Sequence, residues 1–600
     1  MCGYIGAISK NKIDTEKLIL QNKFLVCRGP DKKVELNSNL KNLFGVKNDL
    51  NLSAIFNRLA IIDLTELGDQ PMYLKDRGTL ILFNGEIYNH KELRKSMEQQ
   101  GIKFKSNHSD SEVVLNGLSY FGIDFIKKFI GQFAIFFLDT KSMKAYLIRD
   151  RVGQKPLFYF LKNDQLKFSS NLRSLVHDEK NLEISNNSIQ NYINFGVVPF
   201  RDTIFSNIFK VLPATYVEID LSNFKKNENL YWNPAEYVSD KKLKSEEFFE
   251  YFDNAVSYRL ESDVPVANFL SGGIDSTSII KNIYEKGNDK LNTFTVKNQN
   301  IKYDESSWAN QVVEKYNTNH IEEEISSNIG LDTIEEALDS FDEPYCDPSS
   351  IPSYIISKSI SNYFKVAISG DGGDELLGGY VRTRELLHSR KINNNFINMI
   401  FNIYPARLGT GQNILSRTRN LQKATSSYFE DRKLMGLLGL DLSNDHSYIE
   451  TGFDNYKNLL LTEYKLYLPE MMMLKIDRTS MANSLEVRSP FVDHKLIEYI
   501  LSLNSDDFIK NQPKFLLKKY LSEDFSNDFL NREKKGFVFD IENWIYINQD
   551  IILSTVNDGK IIKNLNMNVV NALLKVKSRA NAIRLWKIFV LEKYIEGIKK

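Results

Sequence analysis

Two short apolar runs between residues 264 and 368, each followed at once by glycines and acidic residues, constrain the fold most strongly. Val264–Leu270 leads into Ser271-Gly272-Gly273-Ile274-Asp275-Ser276. Lys365–Ile368 leads into Ser369-Gly370-Asp371-Gly372-Gly373-Asp374. A third apolar run, Thr293–Val296, lies between them, and each run is flanked by sequence of helical character. Strands that alternate with helices predict a parallel, doubly wound α/β sheet, in which the loops after the strands meet in one crevice.

The composition of these two loops predicts that the crevice binds phosphate. Glycines allow backbone N–H groups to approach a phosphate, and a following helix adds the positive end of its dipole. The spacing is not that of the Walker loop, which requires Gly-Lys-Ser/Thr. Asp275 and Asp374 are candidates to share Mg²⁺, because this ion prefers carboxylate and phosphate oxygens. The alternative is a pair of ordinary turns capped by aspartate.

The first 220 residues have a different pattern, that of short strands and turns. Strands are predicted at Leu80–Phe83, Gln132–Leu138 and Ala145–Ile148. Helices are predicted near His90–Gln100 and Ser111–Phe121. This mixture indicates an α+β unit with antiparallel sheets.

The length of 600 residues exceeds what one hydrophobic core supports, so at least two domains are expected. The polar segment Leu221–Asn233 is rich in lysine and asparagine and is predicted to be an exposed connection. We therefore place one domain at residues 1–220 and the other at 235–600. After Tyr380 the sequence is almost wholly helical in character.

The second residue of the chain, Cys2, is a candidate nucleophile. Removal of Met1 leaves Cys2 with a thiol and a free α-amine whose ordinary pKa is near 8, so the amine is able to accept the thiol proton. A cysteine at this position is by itself more often chance. Gly3 and Gly6 strengthen the functional interpretation, because they make a thin strand that a substrate is able to approach closely.

Several later residues fit the chemistry of one ligand, glutamine. Arg58 suits its carboxylate, and Glu86 and Asp110 suit its ammonium group. The Asn84 side-chain amide and the Gly85 N–H suit the oxyanion of a tetrahedral intermediate. Taken singly, Asn84-Gly85 is more often a hairpin turn and Arg58 a surface charge.

The motifs of the first domain resemble the class II glutamine amidotransferase domain, an N-terminal-nucleophile hydrolase. The matching stretches are Cys2–Gly6, Arg28–Asp31, Arg58–Asp63, Asn84–Asn89, Ser109–Val113, Gly131–Phe133, Arg149–Gly153 and Lys155–Leu157. The chain departs from the family at Cys27, where histidine is usual, and at Asn171, where an acidic residue is common. The resemblance implies an α+β sandwich. It implies these glutamine-binding residues: Arg58, Leu59, Ala60, Ile61, Ile62, Asn84, Gly85, Glu86 and Asp110.

The second domain resembles the asparagine synthetase family, whose domain is an ATP pyrophosphatase of the N-type. The two glycine loops carry the resemblance, together with Tyr303–Ser306, Asp342–Pro344, Asp347–Ser349, Leu376–Tyr380, Lys475–Ala482, Leu485–Asp493, Arg532–Phe537 and Leu585-Trp586. It implies these ATP-binding residues: Leu270, Ser271, Gly272, Gly273, Asp275, Ser276, Val296, Ser369 and Gly370. Leu270 and Val296 are expected beside the adenine.

Two further roles follow from this second resemblance. Asp371 is expected to assist formation of an acyl-adenylate, and Lys534 is expected to stabilise charge when ammonia attacks and AMP leaves. Lys534 also fits a solvated residue of the basic run Arg532–Lys535. Asp540 stands where the family usually has proline, so the shape of this loop departs from the family's.

The composition limits the partners and the compartment. Lys+Arg and Asp+Glu both number 77, which excludes a global basic field that would hold nucleic acid or an anionic membrane. No apolar run approaches the ~18 residues that a membrane span needs. Three cysteines and no signal-peptide pattern indicate a reducing compartment, the cytoplasm.

The two resemblances together imply a glutamine-dependent ligase that uses ATP and Mg²⁺, with aspartate as acceptor. Ammonia would travel between the two sites through an internal apolar passage, and a homodimer is expected of the family. The candidate acceptor residues are Asp342, Glu343, Asp347, Arg478 and Arg488. Two alternatives remain: the same chemistry on another carboxylate, such as a sugar acid of surface-polysaccharide synthesis, and a non-catalytic scaffold. Intact Cys2, Asn84, Asp275 and Asp374 disfavour the scaffold.

Overall fold

The computed structural model of the protein describes most of the chain. The described residues are 2–47, 49–179, 182–287, 291–299, 304–325, 329–388, 425–426, 428–441, 447–532 and 539–598. Among them, no helix combines the length and apolar character that crossing a bilayer requires.

Seventeen strands lie in the described residues and form three sheets. They are β1 (Gly3–Ser9), β2 (Lys32–Asn39), β3 (Asn51–Arg58), β4 (Met72–Leu74), β5 (Thr79–Ile87), β6 (Gly131–Asp139), β7 (Lys144–Arg149), β8 (Phe158–Lys162), β9 (Gln165–Ser169), β10 (Ile208–Lys210), β11 (Thr215–Asp220), β12 (Lys225–Leu230), β13 (Val266–Phe269), β14 (Asn292–Asn298), β15 (Asn319–Ile325), β16 (Val366–Ile368) and β17 (Glu486–Arg488).

The α-helices of the described residues concentrate after β12. They are Thr15–Gln21, Leu40–Phe44, His90–Gln99, Asp110–Phe121, Leu172–Val176, Asn186–Phe195, Ser245–Arg259, Ile274–Glu285, Ser306–Tyr316, Leu331–Asp339, Ser350–Ile360, Gly373–Leu377, Val381–His388, Arg432–Leu438, Asn455–Thr462, Leu474–Met481, His494–Ser502, Asp506–Ile509, Phe515–Leu521, Asn527–Asn531, Ile541–Ile547, Gln549–Asp558, Ile562–Asn566, Asn568–Lys575 and Arg579–Ile598. Short 3₁₀ turns lie at Asn22–Arg28, Glu66–Gly68, Ile123–Lys128, Pro234–Tyr237 and Pro490–Val492, and Glu463–Met473 is a π-helix.

Two antiparallel six-stranded sheets form a sandwich in the first domain. Their strand orders are β10-β8-β9-β1-β3-β2 and β12-β11-β7-β6-β5-β4. Alternate residues of each strand point into the sandwich, as the period of two requires. The rings of Phe136 and Phe168 stack across the interior with centroids 4.0 Å apart. The outer face of the second sheet packs against the helix Asp110–Phe121, so the predicted α+β sandwich is confirmed.

A five-stranded parallel sheet organises the second domain, in the order β15-β14-β13-β16-β17. The chain runs outward from β13 to β15 and then returns to place β16 on the other side of β13. The loops after β13 and β16 therefore lie side by side where the strand order reverses, which is the usual ligand position in such sheets. The prediction of a doubly wound sheet with a helical C-terminal part is confirmed.

Three local predictions were wrong or incomplete. The segment Leu221–Asn233 is not a simple exposed connection, because β12 pairs antiparallel with β11 and thereby extends the second sheet past residue 220. The lysines of this segment suggested a loop, but charged side chains are also common on strands at the solvated edge of a sheet. Trp232, which follows β12 within this segment, is buried, and its indole N–H donates a hydrogen bond to Glu498 (2.9 Å). The strands β15 and β17 were not predicted.

Candidate active sites

Cys2 and Asn84 face each other across the interior of the sandwich. Cys2 precedes β1 on the same face as Tyr4 and Ile8, and Asn84 follows Leu80 and Leu82 on the inner face of β5. The Cys2 backbone N–H donates to Asn84 Oδ1 (3.1 Å). Burial raises the pKa of the Cys2 thiol, so the thiol requires a base before it attacks.

The Asn84 side-chain amide uses only its oxygen in hydrogen bonds among the described residues. Asn84 Nδ2 is buried and has no hydrogen-bond partner among the described residues. Gly85 next to it has a φ of +150°, and a Cβ there would lie 2.0 Å from the carbonyl oxygen of Gln132. Asn84-Gly85 therefore lies inside a strand and forms no hairpin turn, and only glycine fits at its second position.

Cys2 opens into a small pocket that most of the predicted glutamine residues line. Its walls include Arg58, Leu59, Ile61, Ile62, Gly85, Glu86 and Asp110, together with Gly68, Gln70, Phe83 and Ser111. Ala60 and Asn84 do not line it. The Ala60 backbone N–H donates to Asp31 Oδ2 (2.8 Å), and Asn84 is fully buried. The cavity volume is about 20 Å³, on the order of one water molecule, so glutamine requires its walls to separate.

The guanidinium of Arg58 is held by the loop that follows it. It donates to the carbonyl oxygen of Thr65 (2.6 Å), to Asp69 Oδ1 (2.8 Å) and to the carbonyl oxygen of Asp63. Arg58 is buried, contrary to the surface-charge alternative. A ligand carboxylate would share this guanidinium with the loop.

Glu86 and Asp110 form a buried pair of carboxyl groups at the wall of the pocket. Burial, followed by the proximity of Asp110, raises the pKa of Glu86 well above its ordinary value. Burial likewise raises the pKa of Asp110, whose Oδ2 accepts the Ile87 N–H (3.1 Å). A ligand ammonium would offset this unfavourable pairing, which suits the predicted role of both residues.

The second site is a cavity of about 620 Å³ at the carboxyl ends of β13, β14 and β16. The predicted residues that line it are Leu270, Ser271, Gly273, Asp275, Ser276, Val296, Ser369, Gly370, Asp371 and Asp374. Gly272 does not line it. Its φ is +66°, a Cβ there would lie 2.7 Å from the Ala309 nitrogen, and its carbonyl oxygen accepts a hydrogen bond from Arg532. Gly272 therefore shapes the loop by its conformation.

Asp275 and Asp374 converge, as the sequence predicts, and an unpredicted lysine lies between them. Lys514 Nζ lies 2.5 Å from Asp275 Oδ2 and 2.5 Å from Asp374 Oδ1. Two carboxylates that meet on one cation are a donor set that fits Mg²⁺. Lys514 follows Pro513 and has a φ of +57°, a backbone conformation that is uncommon for lysine. Its sequence context contains no motif that would have identified it.

The helix Leu474–Met481 separates the two sites. Lys475, Ile476 and Thr479 line the second cavity from one face of this helix. From the opposite face, Asp477 accepts two hydrogen bonds from Arg28 (2.8 and 3.0 Å), and Arg28 Nε donates to the carbonyl oxygen of Cys2 (3.4 Å). Charged groups are therefore buried between the sites. The predicted apolar passage for ammonia remains a prediction.

Most of the residues predicted for the acceptor do not line the cavity. Arg478 pairs with Asp342 (2.7 Å), Arg488 with Glu486 (2.6 Å), and Glu343 with Lys210 (2.9 Å). Of the predicted set, Asp347 lines the cavity. The prediction was wrong for the other four because sequence spacing does not show which opposite charges pair with each other. Lys534 lies outside the described residues.

Sequence reasoning gave no role to Lys475, Ser349 and Tyr467, which form a polar end of the cavity together with the predicted Asp347. Lys475 Nζ donates to Ser349 Oγ (3.0 Å) and lies 3.6 Å from Asp347 Oδ2. Although burial opposes it, Asp347 raises the pKa of Lys475. The available signal was a lysine within the apolar run Met471–Ile476.

Comparisons with known proteins cover nearly the whole chain. Residues 247–595 match the family model of asparagine synthase, and residues 1–232 match that of the glutamine amidotransferase domain. Asparagine synthetase (glutamine-hydrolyzing) 1 of Bacillus subtilis (strain 168) is 29% identical, with 98% of this chain and 96% of that protein covered. Asparagine synthetase (glutamine-hydrolyzing) 3 of the same organism is 28% identical, with 94% and 93% covered. The chain therefore belongs to the asparagine synthase family and is a glutamine-dependent amidotransferase that works as an ATP-dependent carbon–nitrogen ligase.

Proposed function

We propose that the acceptor is L-aspartate and that the protein is a glutamine-dependent asparagine synthetase. The first domain releases ammonia from glutamine. The second domain uses ATP to activate the aspartate β-carboxylate, and ammonia then displaces AMP to give asparagine.

Glutamine hydrolysis begins at Cys2. The thiol attacks the side-chain amide carbon, and its proton passes to the α-amine that removal of Met1 exposes. Asn84 Nδ2 and the Gly85 N–H are assigned to the oxyanion of the tetrahedral intermediate. Ammonia leaves, a thioester remains, and water cleaves the thioester to glutamate. Arg58 binds the α-carboxylate of glutamine, and Glu86 with Asp110 binds its ammonium.

The ATP cavity is assigned by the character of its two ends. Leu270, Phe294 and Val296 form an apolar end for the adenine, and the Ser271 and Ser369 loops lie where the phosphates would bind. Asp275 and Asp374 would hold Mg²⁺, which neutralises phosphate charge when it is bound. The aspartate β-carboxylate oxygen attacks the α-phosphorus, pyrophosphate leaves, and ammonia then attacks the acyl carbon. Asp371 and Lys534 are the candidates to assist these two steps.

One observation carries the choice of aspartate. The Lys475 ammonium and the Asp347 carboxylate lie together, 3.6 Å apart, in the wall of the ATP cavity. Such a pair suits the α-carboxylate and the α-ammonium of an amino acid, because each charge finds its opposite. A sugar acid has a carboxylate and no ammonium, so it would leave Asp347 without a cationic ligand group.

The test is an acceptor screen on the full chain with glutamine, ATP and Mg²⁺. We expect aspartate to give asparagine, AMP and pyrophosphate in equal amounts, measured by mass spectrometry. Lys475→Met should raise the KM for aspartate and leave glutamine hydrolysis unchanged, and Lys518→Met, also in the cavity wall, is the matched control. AMP formation driven by a hexuronic acid, with no asparagine from aspartate, would refute the proposal.

A further inference from the structure

The glutamine pocket is partly built on the sheet of the other domain. The segment Leu59–Asp63, called here the glutamine-binding segment, supplies three of the apolar residues that line the pocket. Those residues, Leu59, Ile61 and Ile62, pack against Val366 of β16 and against Met481. Val264 and Val266 at the start of β13 join the same cluster. The pocket wall therefore rests on the amino ends of two strands that lead to the ATP loops.

Asp263, which lies just before β13, joins the glutamine-binding segment through two hydrogen bonds. Its backbone N–H donates to the carbonyl oxygen of Ile61 (3.0 Å). Its carboxylate Oδ2 accepts the backbone N–H of Asp63 (2.7 Å). Asp63 has a φ of +54°, so its peptide must be held in this orientation against the ordinary preference of the backbone. The Asp263 carboxylate supplies that restraint.

A second tie connects the same segment to β16. Asp31 Oδ2 accepts the backbone N–H of Ala60 (2.8 Å) and also the ammonium of Lys365 (2.8 Å). Lys365 immediately precedes β16. The segment is therefore held at Ala60 from one strand and at Ile61 and Asp63 from the neighbouring strand. Asp263 makes the shorter connection, since no intermediate side chain intervenes.

The Asp263 carboxylate is kept charged by its surroundings. His108 Nε2 lies 2.6 Å from the same Oδ2 that accepts the Asp63 N–H. Although partial burial opposes it, the hydrogen bonds of His108 and Asp63 lower the pKa of Asp263. A charged acceptor makes a stronger hydrogen bond to a backbone N–H than a neutral one does.

We propose that Asp263 is a positioning residue for glutamine binding: it holds the glutamine-binding segment in place from the ATP-binding domain. Asp263 does not line the glutamine pocket, and it acts through Ile61 and Asp63. The proposal rests on glutamine hydrolysis alone and is independent of which carboxylate the second domain activates.

The experiment compares hydrolysis of glutamine with use of ammonium salts in the full chain. Asp263→Ala should raise the KM for glutamine about tenfold, the scale of one hydrogen bond to a charged group. Its kcat for hydrolysis should stay near the wild-type value, because Cys2 and Asn84 are untouched. ATP-dependent release of pyrophosphate with ammonium as nitrogen source should also stay at the wild-type rate.

Three variants serve as controls. Asp263→Asn retains an oxygen that accepts the Asp63 N–H, so it should restore most of the affinity for glutamine. His108→Ala removes the other partner of Asp263 but leaves its carboxylate on the Asp63 N–H, so it should raise the KM for glutamine by less than Asp263→Ala does. Asp339→Ala removes another carboxylate between the domains, 3.4 Å from Arg173, and should have no effect.

An unchanged KM for glutamine in Asp263→Ala would overturn the proposal. Equal losses in glutamine hydrolysis and in the ammonium-dependent reaction would overturn it too, because they would indicate a general structural role. If Asp263→Asn has a KM for glutamine as high as that of Asp263→Ala, the hydrogen bond from the Asp63 N–H to the side chain at position 263 does not position the segment, and the proposal is overturned.

Discussion

At the scale of the residue, Cys2 is required for glutamine hydrolysis and is not required for synthesis from ammonium. Replacing Cys2 with alanine should abolish glutamine-dependent synthesis and preserve synthesis from ammonium salts, because the thioester chemistry requires only this thiol. Rates with each nitrogen source provide the measurement. Cys27→Ala is the matched control, since Cys27 is exposed and lies outside the pocket. Glutaminase activity that survives in the Cys2 variant would remove Cys2 from its role.

The buried carboxyl pair predicts a pH dependence of glutamine binding. Burial raises the pKa of Glu86, with Asp110 and Glu486 adding to the shift and Arg488 opposing it. Without glutamine, Glu86 therefore keeps its proton at a pH at which an exposed glutamate would have lost it. A bound ammonium favours the ionised form, so glutamine binding releases this proton and becomes tighter as the pH rises.

Calorimetry with the Cys2→Ala variant measures this effect without ionisation of the thiol. Affinity should rise as the pH increases above the ordinary pKa of glutamate, in the range below the titration of an amine. Buffers of different ionisation enthalpy should reveal the released proton. Glu86→Gln is the control: residue 86 cannot titrate in this variant, so the pH dependence should be weaker, with only Asp110 left to contribute. An equal slope in both proteins would assign the proton to another group.

At the scale of the element, the strand–loop–helix units were the most predictable part of the second domain. Two apolar runs followed by glycine and aspartate located two neighbouring strands and the loops after them, because parallel strands put their carboxyl ends on one edge. β17 was not predicted, since three residues are too few to show a period of two. β12 was missed because its side chains are those of a solvated edge.

Lys514 lies at the start of the helix Phe515–Leu521, with its ammonium between Asp275 and Asp374, and its removal should have a measurable effect on cation binding. Lys514→Met leaves Asp275 and Asp374 facing each other without the ammonium between them. We expect the variant to bind Mn²⁺, in the absence of nucleotide, about tenfold more tightly than the wild type. Electron paramagnetic resonance of free Mn²⁺ measures this. Lys518→Met is the control, and equal Mn²⁺ affinity in all three proteins would contradict the assignment of a cation site.

At the scale of the whole molecule, the junction of the domains was beyond sequence reasoning. The resemblance identified Arg28 and Asp477 as parts of two separate motifs, 449 positions apart, and nothing in either motif indicates that they pair. Likewise, Arg478 and Asp342 were predicted to bind an acceptor and instead bind each other. Local patterns reveal a residue's chemistry, whereas the partner of a charge depends on how complete domains pack.

Asp477 predicts how strongly this junction contributes to stability. Arg28, Lys155 and Arg478 surround its buried carboxylate and, although burial opposes them, hold its pKa far below the ordinary value. Asp477→Asn should lower the free energy of unfolding by about 3–5 kcal/mol, because it leaves buried cations uncompensated. Denaturant unfolding measures the change.

The pH dependence of unfolding adds a second check on Asp477. Because its native pKa is depressed, its contribution to stability is present above the ordinary pKa near 3.8 and is lost as the pH falls below it. The asparagine variant should lack this part of the acid dependence. Asp339→Ala, which breaks an exposed ion pair, should cost about 1 kcal/mol or less. Similar losses in both variants would contradict the assigned role of the buried pair.

The shortness of β13 and β16 has a thermodynamic consequence. At about 3.3 Å per residue, four residues bring the amino end of β13 within about 13 Å of its ATP loop. If a nucleotide shifts the strand, it alters the affinity for glutamine by some factor, and reciprocity requires glutamine to alter the affinity for the nucleotide by the same factor. Cys2→Ala is titrated with a non-hydrolysable ATP analogue, with and without glutamine, and with glutamine, with and without the analogue. The two affinity ratios should be equal, and adding Asp263→Ala should bring both ratios toward one.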